Sequence, residues 1–307
     1  LAHGGLAGAG GFREWSIFTP GGIAAGQADA TGGAIAAVGP LDARQLTVNG
    51  NRAIGGASAE CFNCMGSSGR GGGLAAAGRA TLTDSTFALN QAASGARNVC
   101  RNVTVPNPQY PGYSTCLDYV IRYGHMPGAC QIGPNMTATQ CGPADPAPAF
   151  GAVWSGDELT LVNTSINAIG TAVGARSLVM DHATIVGTAS GTAELFVLEY
   201  LLTHRSAVMG EGMTLCRSGA LYRESSYNRF SDASCSLSGP GDVQGAANFA
   251  LGPIADNGGP VATMLPGAGS VLIDAIPRAA CTLTADARGV SRPQGSGCDV
   301  GAVEVAR

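Results

Sequence analysis

The stretch LTLVNTSI, residues 159–166, decides the fold of this chain because versions of it recur along the sequence. Residues 178–185 read LVMDHATI and residues 80–87 read ATLTDSTF; residues 200–207 follow more loosely, and residues 46–50 form a short early copy. Apolar and polar residues alternate at the start of each copy, which is typical of a β-strand that buries one face. The last three copies start at residues 159, 178 and 200, and a period of about 20 residues is typical of solenoid proteins.

A single turn of this kind cannot bury its own apolar face, whereas stacked turns form a continuous core and pair their strands. Glycines precede several copies, as at residues 71–73, where tight corners require positive φ. Related Gly-rich entries lead into Ile35, Leu74 and Val153. We therefore predict an all-β fold, a right-handed parallel β-helix over residues 1–248.

The composition agrees with a solenoid better than with a compact enzyme. Charged residues make up 12% of the chain and glycine contributes 47 of its 307 residues, against a usual charged share of about 25%. A compact enzyme needs charged residues to cover its surface, whereas a solenoid coated with Thr, Ser, Asn and Ala does not.

The basic residues exclude some functions. All 17 are arginine, so lysine Schiff-base chemistry and a phosphate-binding loop that depends on lysine are both excluded. The net charge of −4 and the lack of a basic cluster argue against a nucleic-acid partner.

No apolar run approaches the roughly 18–20 residues that a membrane span requires. No signal peptide opens the chain, and we expect that one has been removed or lies outside this sequence.

Ten cysteines fall in near-neighbour pairs, which predicts disulfides formed in an oxidising compartment. There is one CxxC and no second metal knuckle, so a zinc site is not indicated, and we expect no metal and no cofactor. Local contacts in a solenoid favour sequential pairing, although the sequence leaves the connectivity open. The pairs by sequence are Cys61/Cys64, Cys100/Cys116, Cys130/Cys141, Cys216/Cys235 and Cys281/Cys298.

Four segments near the end of the chain occur in a specific order: LGPIADNGGP at 251–260, IDA at 273–275, DARGVSRPQ at 286–294 and CDVGAVE at 298–304. This region resembles the C-terminal module of choice-of-anchor Q proteins, which are large bacterial surface and secreted polypeptides built on parallel β-helices. Val271-Leu272 stand where that family usually has Pro-Ala. The resemblance implies an architecture and an extracellular location, and it brings no common catalytic residues.

The C-terminal module, residues 249–307, also concentrates charge in a chain that otherwise avoids it. One interpretation is a ligand or calcium site. The other, which we favour, is a salt-bridged cap that closes the open end of the solenoid, because terminal repeats need a polar face. The charged residues are Asp274, Asp286, Arg288, Arg292, Asp299 and Glu304.

Residues 98–148 interrupt the repeats with four cysteines and many prolines. We predict that they form a disulfide-tied excursion on the side of the solenoid, and that this excursion binds a partner, since binding residues concentrate on loops over rigid scaffolds. Aromatic and arginine side chains are typical interface anchors. The candidate binding residues are Tyr110, Tyr113, Tyr119, Tyr123, Arg101 and Arg122; alternatively, the tyrosines merely pack the loop onto the solenoid wall.

Aligned as above, Asn163, His182 and His204 occupy one position in three successive turns. A metal or proton-transfer site could use the two histidines with Asp181. A polar ladder at a corner is the simpler interpretation, because two imidazoles lack the third protein ligand that catalytic zinc usually has.

An enzymatic role is the alternative to binding, because many β-helix proteins cleave polysaccharides. Hydrolases of this kind place carboxylates on adjacent turns, and Asp84, Asp157 and Asp181 do not share a phase in the repeats. No Gly-x-Ser-x-Gly turn is present either. No catalytic residue is assigned.

The sequence therefore predicts a secreted or surface-attached bacterial protein with a structural or adhesive role. Its expected partner is an extracellular surface, a polysaccharide, a protein or further copies of itself. A carbohydrate-active enzyme and a self-assembling filament or coat are the alternatives.

Overall fold

The computed structural model describes residues 30–54, 69–93, 97–106, 135–144, 151–187, 195–210, 214–218 and 222–306. These segments contain β-strands, one short 3₁₀-helix at Arg278–Ala280 and no α-helix. Most of the strands pair in parallel, in sheets that stack on a shared core. The predicted all-β class with parallel strands is confirmed.

The first sheet has nine strands within the described segments, all parallel to their neighbours. In chain order they are Ile35–Ala37, Leu41–Arg44, Leu74–Ala76, Ala80–Thr83, Val153–Val162, Val173–Asp181, Leu195–His204, Cys216–Ser218 and Tyr222–Ser226.

The second sheet has eight described strands, which are also parallel. They are Thr47–Asn49, Arg52–Ile54, Thr86–Ala93, Ser165–Ala168, Thr184–Gly187, Ala207–Gly210, Arg229–Phe230 and Val243–Gln244. A short parallel pair joins Ala30–Thr31 to Gly69–Arg70.

The chain passes repeatedly from the first sheet to the second, and we call each such pass a rung. The described rungs cover residues 35–49, 74–93, 153–168, 173–187, 195–210 and, in the last rung, 216–218 with 222–230. Ala80, Leu159 and Leu178 are partners in the ladder, as the repeats predict. The Gly-rich entries also align, because Ile35, Leu74 and Val153 pair with one another in turn.

Two details of the predicted alignment are wrong. Leu178 pairs with Leu201 rather than with Tyr200, so the last copy is shifted by one residue. The early copy at 46–50 lies in the second sheet, where Thr47 pairs with Thr86; the first-sheet strand of that rung is Leu41–Arg44.

The core lies between the two sheets. Fully buried leucines point inward from the first sheet, for example Leu82, Leu159 and Leu178, and they meet Phe87 and Ile185 of the second sheet in one cluster. The alternation in the sequence thus places one apolar column of each sheet inside, which anchors every rung to the next.

Each rung turns from the first sheet to the second at one residue with a left-handed backbone. These residues have φ between 47° and 55°, and their backbone N–H groups bond to the next rung: Gln45, Asp84, Asn163, His182, Arg205 and Tyr227. We call this column the corner ladder. Asn and Asp tolerate positive φ better than other side chains, so their presence in two of the repeats marks the corner.

The predicted excursion begins and ends in an antiparallel pair, Arg97–Pro106 with Asn135–Ala144. Its backbone register places Cys100 opposite Cys141, two residues that near-neighbour pairing assigns to different bridges. The disulfides Cys216–Cys235 and Cys281–Cys298 are present as predicted. Cys61, Cys64, Cys116 and Cys130 lie outside the described residues.

The C-terminal module contains two antiparallel pairs, Leu251–Ala255 with Thr263–Pro266 and Ile276–Pro277 with Gly297–Cys298. Several of its described contacts run along the outer side of the second sheet. Ala302 N donates to Thr184 Oγ1 (2.9 Å) and Gly301 N donates to Arg205 O (2.8 Å), while Thr86 Oγ1 donates to Ala262 O. These contacts cross several rungs from the side, and the cap at the open end stays a prediction.

Candidate functional site

The outer face of the first sheet carries a groove of about 480 Å³. Its side chains come from strands that the sequence separates widely. Trp154, Gly174 and Phe196 are partners in three successive rungs, so they form one outward column. The groove is lined by Arg70, Trp154, Ser155, Gly156, Ala175, Arg176, Phe196, Leu198 and Glu199.

The apolar surface of the groove comes from three side chains. Trp154 and Phe196 are each half-buried, and Leu198 is 51% exposed. Gly174, which is buried and has no side chain, lies between the two aromatic rungs. The Trp154 indole lies close to Gly156 of its own strand, since a Cβ there would approach the ring to 3.1 Å. The parallel sheet fixes the spacing of these side chains, because each strand is held by neighbours on both sides.

Charged groups border the apolar surface. The Arg70 guanidinium lies over the Trp154 ring, 5.3 Å from its centroid, which is a cation–π contact. The Arg176 and Glu199 side chains bridge neighbouring rungs with a 2.6 Å contact, and the hydrogen bond to Glu199 raises the pKa of Arg176. The groove therefore offers hydrogen-bond donors and acceptors beside aromatic and aliphatic carbon.

A second polar group adjoins the groove where the strands bulge. The Tyr200 hydroxyl contacts the Glu158 carboxylate, and Arg79 Nε lies 3.5 Å from Glu158 Oε1. Burial, together with the bond to Glu158, raises the pKa of Tyr200. These residues extend the polar margin of the groove further along the first sheet.

The two histidines singled out by the repeats do not share a ladder position. His182 lies on the corner ladder, where Arg205 is its neighbour in the next rung. His204 is the partner of Asp181 instead. Their predicted stacking is therefore wrong, and the cause is the one-residue shift at Tyr200.

His182 is fully buried and belongs to a charged network. Its Nδ1 lies 2.8 Å from Asp181 Oδ1, so Nδ1 carries the proton that it donates to the carboxylate, and Nε2 has no hydrogen-bond partner among the described residues. Arg205 donates to both oxygens of Asp181 (2.8 and 3.1 Å). Burial lowers the pKa of His182 to about 4. Burial raises the pKa of Asp181, but hydrogen bonds from His182 and Arg205 outweigh it and bring that pKa to about 2.

This network serves as a corner ladder rather than as an open site. Thr282 of the C-terminal module donates to Asp181 Oδ2 (3.4 Å), and Gly301 bonds the backbone of Arg205. The imidazole is thus enclosed by its own rung and by the module. Substrate cannot reach it without displacement of that module.

His204 is partly exposed and has a different partner. Its Nδ1 lies 2.8 Å from Ser226 Oγ on the next rung. A nucleophile and a base at this distance could act together if a third group oriented the base. Neither described pocket includes this pair, so we do not assign it a reaction.

Four of the charged residues of the C-terminal module form two buried ion pairs. Arg292 Nη1 lies 3.0 Å from Glu304 Oε2, and Arg288 Nη2 lies 2.8 Å from Asp286 Oδ2, with all four side chains buried. The salt-bridged interpretation of these residues agrees with this arrangement. A smaller cleft of about 320 Å³ separates the corner at Asp84 from the module loop 283–289, and burial raises the pKa of Asp84.

The predicted binding residues fall mostly where the structure gives no description. Tyr110, Tyr113, Tyr119, Tyr123 and Arg122 lie outside the described residues, and for Arg101 the structure gives its position in the strand Arg97–Pro106. Their role stays a prediction. Across the described segments, no group of three or more His, Cys, Asp or Glu side chains could hold a metal ion.

Sequence reasoning missed the groove on the first sheet. Trp154 directly follows the Gly-rich entry at 151–153, and Phe196 follows Leu195 at the start of the apolar stretch of the later rung. An alignment of the rungs by their entry positions, rather than by their corners, would have placed these aromatics in one column.

Two further findings bear on identity. Within the described segments, no helix has the length and apolar character of a membrane span. The chain matches no protein-family model, no curated protein and no solved structure.

Proposed function

We propose that this chain is an extracellular adhesive module, built as a right-handed parallel β-helix with a choice-of-anchor Q-like C-terminal module, that binds a polysaccharide through the groove at Trp154, Phe196 and Leu198. The observation that carries the proposal is that half-buried aromatic carbon and the exposed Leu198 side chain lie beside a charged margin on a rigid sheet. The parallel rungs and the two disulfides support the architecture and an oxidising location.

The chemistry of the groove suits a sugar better than a protein surface. A sugar ring has a C–H face that packs on aromatic carbon, and hydroxyl groups that accept from guanidinium and donate to carboxylate. Arg176 and Glu199 offer both functions side by side. Specific protein interfaces bury about 800 Å² per partner, whereas the large exposed apolar residues of the described segments lie apart, at Val38, Leu89, Leu198 and Val243.

Binding is favoured over hydrolysis at this groove. Glycoside hydrolysis uses a pair of carboxyl groups that flank the bond. Glu199 is the one carboxylate among the described residues that line the groove, and Arg176 holds it in an ion pair. Glu158, which extends the polar margin, is engaged in turn by Tyr200 and Arg79. The groove therefore favours binding without cleavage, and a carbohydrate-active enzyme is the alternative.

The proposal is tested by co-sedimentation of the purified chain with a panel of insoluble polysaccharides. Phe196→Ala and Leu198→Ala should weaken binding, with Phe196→Ala costing about tenfold in affinity, as expected for an aromatic anchor. Val38→Ala is the matched control, because Val38 is 71% exposed and does not line the groove.

Unfolding curves of each variant separate lost binding from lost structure. If the wild-type chain co-sediments with none of the polysaccharides, the proposed function is refuted. Equal retention of the groove variants and the wild type would move the contact surface elsewhere, and the excursion at residues 98–148 would then be the first alternative. Release of soluble sugar during the assay would favour the enzyme.

A further inference from the structure

We infer that the groove selects an extended β-1,4-linked glycan that lies along the stacking direction of the rungs. This inference rests on the proposed function, because it names the class of polysaccharide that the same groove takes. The class follows from the spacing of the two aromatic positions along the sheet.

Trp154 and Phe196 stand two rungs apart in one column, with Gly174 between them. Neighbouring strands in a sheet are about 4.8 Å apart, so the two aromatic positions are separated by about 9.6 Å along the stacking direction. The sheet fixes this distance, since hydrogen bonds of the ladder join each of the three strands to the next.

An extended β-1,4-linked chain matches this separation. Successive sugar rings of such a chain are turned over relative to each other, so every second ring presents the same face to a flat surface. One disaccharide unit is close in length to the spacing of two rungs. Alternate sugars would therefore contact Trp154 and Phe196, and the sugar between them would cross the middle rung where Ala175 and Arg176 line the groove.

The polar margin fits the same placement. Arg176 lies on the rung of Gly174, two residues further along the strand, and Glu199 lies on the rung of Phe196. Their ion pair therefore borders the middle and the last sugar of a bound trisaccharide. Arg70, stacked on Trp154, borders the first sugar.

Glycans with other linkages do not meet both aromatics in this way. An α-1,4-linked chain and a β-1,3-linked chain both curve, so their rings do not return to the same orientation at every second unit along a straight line. Such chains would contact one aromatic side chain at a time. The spacing of the two aromatic positions therefore selects the linkage of the glycan, and the polar groups of the margin would select the type of sugar.

The test is isothermal titration of the full chain with soluble oligosaccharides of increasing length. Cello- and chito-oligosaccharides supply the β-1,4 linkage, malto-oligosaccharides the α-1,4 linkage and laminari-oligosaccharides the β-1,3 linkage. For a β-1,4 series we expect a rise in affinity of about tenfold from disaccharide to trisaccharide, because the trisaccharide is the shortest chain that contacts both aromatics.

Trp154→Ala and Phe196→Ala should each remove that step, whereas Val38→Ala should keep it. Using both variants guards against loss of folding in one, and their unfolding curves are measured alongside. Equal or tighter binding of a malto or laminari series would overturn the linkage inference and leave glycan binding in place. A β-1,4 series without the step would overturn it too. Failure to bind any oligosaccharide or insoluble polysaccharide would overturn both the inference and the proposed function.

Discussion

The outer face of the first sheet is open to solvent and the outer face of the second sheet is covered by the C-terminal module, although the same rungs build both sheets. The first sheet presents Trp154, Phe196 and Leu198 in a groove that solvent reaches. The second sheet is contacted by the C-terminal module at Thr86, Thr184 and other positions of the same column. One face is thus available to a ligand, and the other is part of the fold.

Side-chain size accounts for the difference. The covered column of the second sheet carries short side chains, which are Thr86, Ser165, Thr184 and Ala207. The module approaches this column so closely that a Cβ on Gly301 would lie 2.4 Å from Thr184 Oγ1. Short side chains on the second sheet allow the backbone of the module to pack against it, whereas the aromatic rings and guanidinium groups on the first sheet leave a groove between them.

The largest expected effect concerns the buried ion pair that holds the covering module together. Glu304 accepts hydrogen bonds from Arg292 Nη1 (3.0 Å), Gln294 N (2.9 Å) and Asp299 N (2.9 Å). Glu304→Ala leaves the Arg292 charge buried and unpaired, so we expect a loss of about 3–5 kcal/mol in the free energy of unfolding, measured by chemical denaturation.

Asp157→Ala is the control for this experiment, since Asp157 is an exposed carboxylate on the first sheet. It should change the free energy of unfolding by less than about 0.5 kcal/mol. Similar losses in the two variants would mean that the module does not depend on its buried pair.

The second expected effect is a pH dependence of stability from His182. Its pKa is about 4 in the folded chain against an ordinary value of 6.5, so the unfolded chain binds more protons between these values. Stability should therefore be fully present above pH 6.5 and fall as the pH drops to about 4, by on the order of 3 kcal/mol. Asp181, with its pKa lowered to about 2, adds a further loss below its ordinary value of 3.8.

His182→Asn should flatten the slope between pH 6.5 and 4, because asparagine fits the left-handed corner, as Asn163 does on the preceding rung. An unchanged slope in equilibrium unfolding curves would show that another group controls it. The double variant with His204→Asn should keep glycan binding, since neither histidine lines the groove.

The third expected effect measures how closely the module docks. Gly301 and Gly289 both have positive φ, 96° and 86°, but a Cβ has no neighbour within 4 Å at Gly289. Gly289→Ala should cost about 1–2 kcal/mol through backbone strain alone. Gly301→Ala should cost about 1–3 kcal/mol more, because the added methyl group presses on Thr184. Equal losses of stability, measured by thermal unfolding, would mean that the module sits further from the sheet.

The sequence predicted the rungs because alternation and period are local signals. It misplaced the rung at 200–207 because Tyr200 and Leu201 both suit the pattern. The ladder has a bulge between Ala175 and Ser177, so the number of residues per rung varies. An alignment of the repeats by sequence alone therefore shifts by one residue.

The groove and the covered face could not be predicted in the same way. Trp154 and Phe196 become neighbours only through the ladder, across a rung that contributes a glycine. The module's charged residues indicated a salt-bridged cap, but the contact of the module with the side of the sheet depends on the shape of the whole rung stack. Local patterns therefore predict the scaffold better than the surface it presents.

The most direct test of the division between the two faces is hydroxyl-radical footprinting of the chain, free and with the glycan that it binds best. We expect Trp154, Phe196 and Leu198 to be oxidised in the free chain and protected by the glycan. Phe249, Met264 and Leu272, which are buried in the module, should stay unreacted in both states. Strong oxidation of the module residues, or groove residues that the glycan leaves unprotected, would contradict an account in which one face is covered and the other binds.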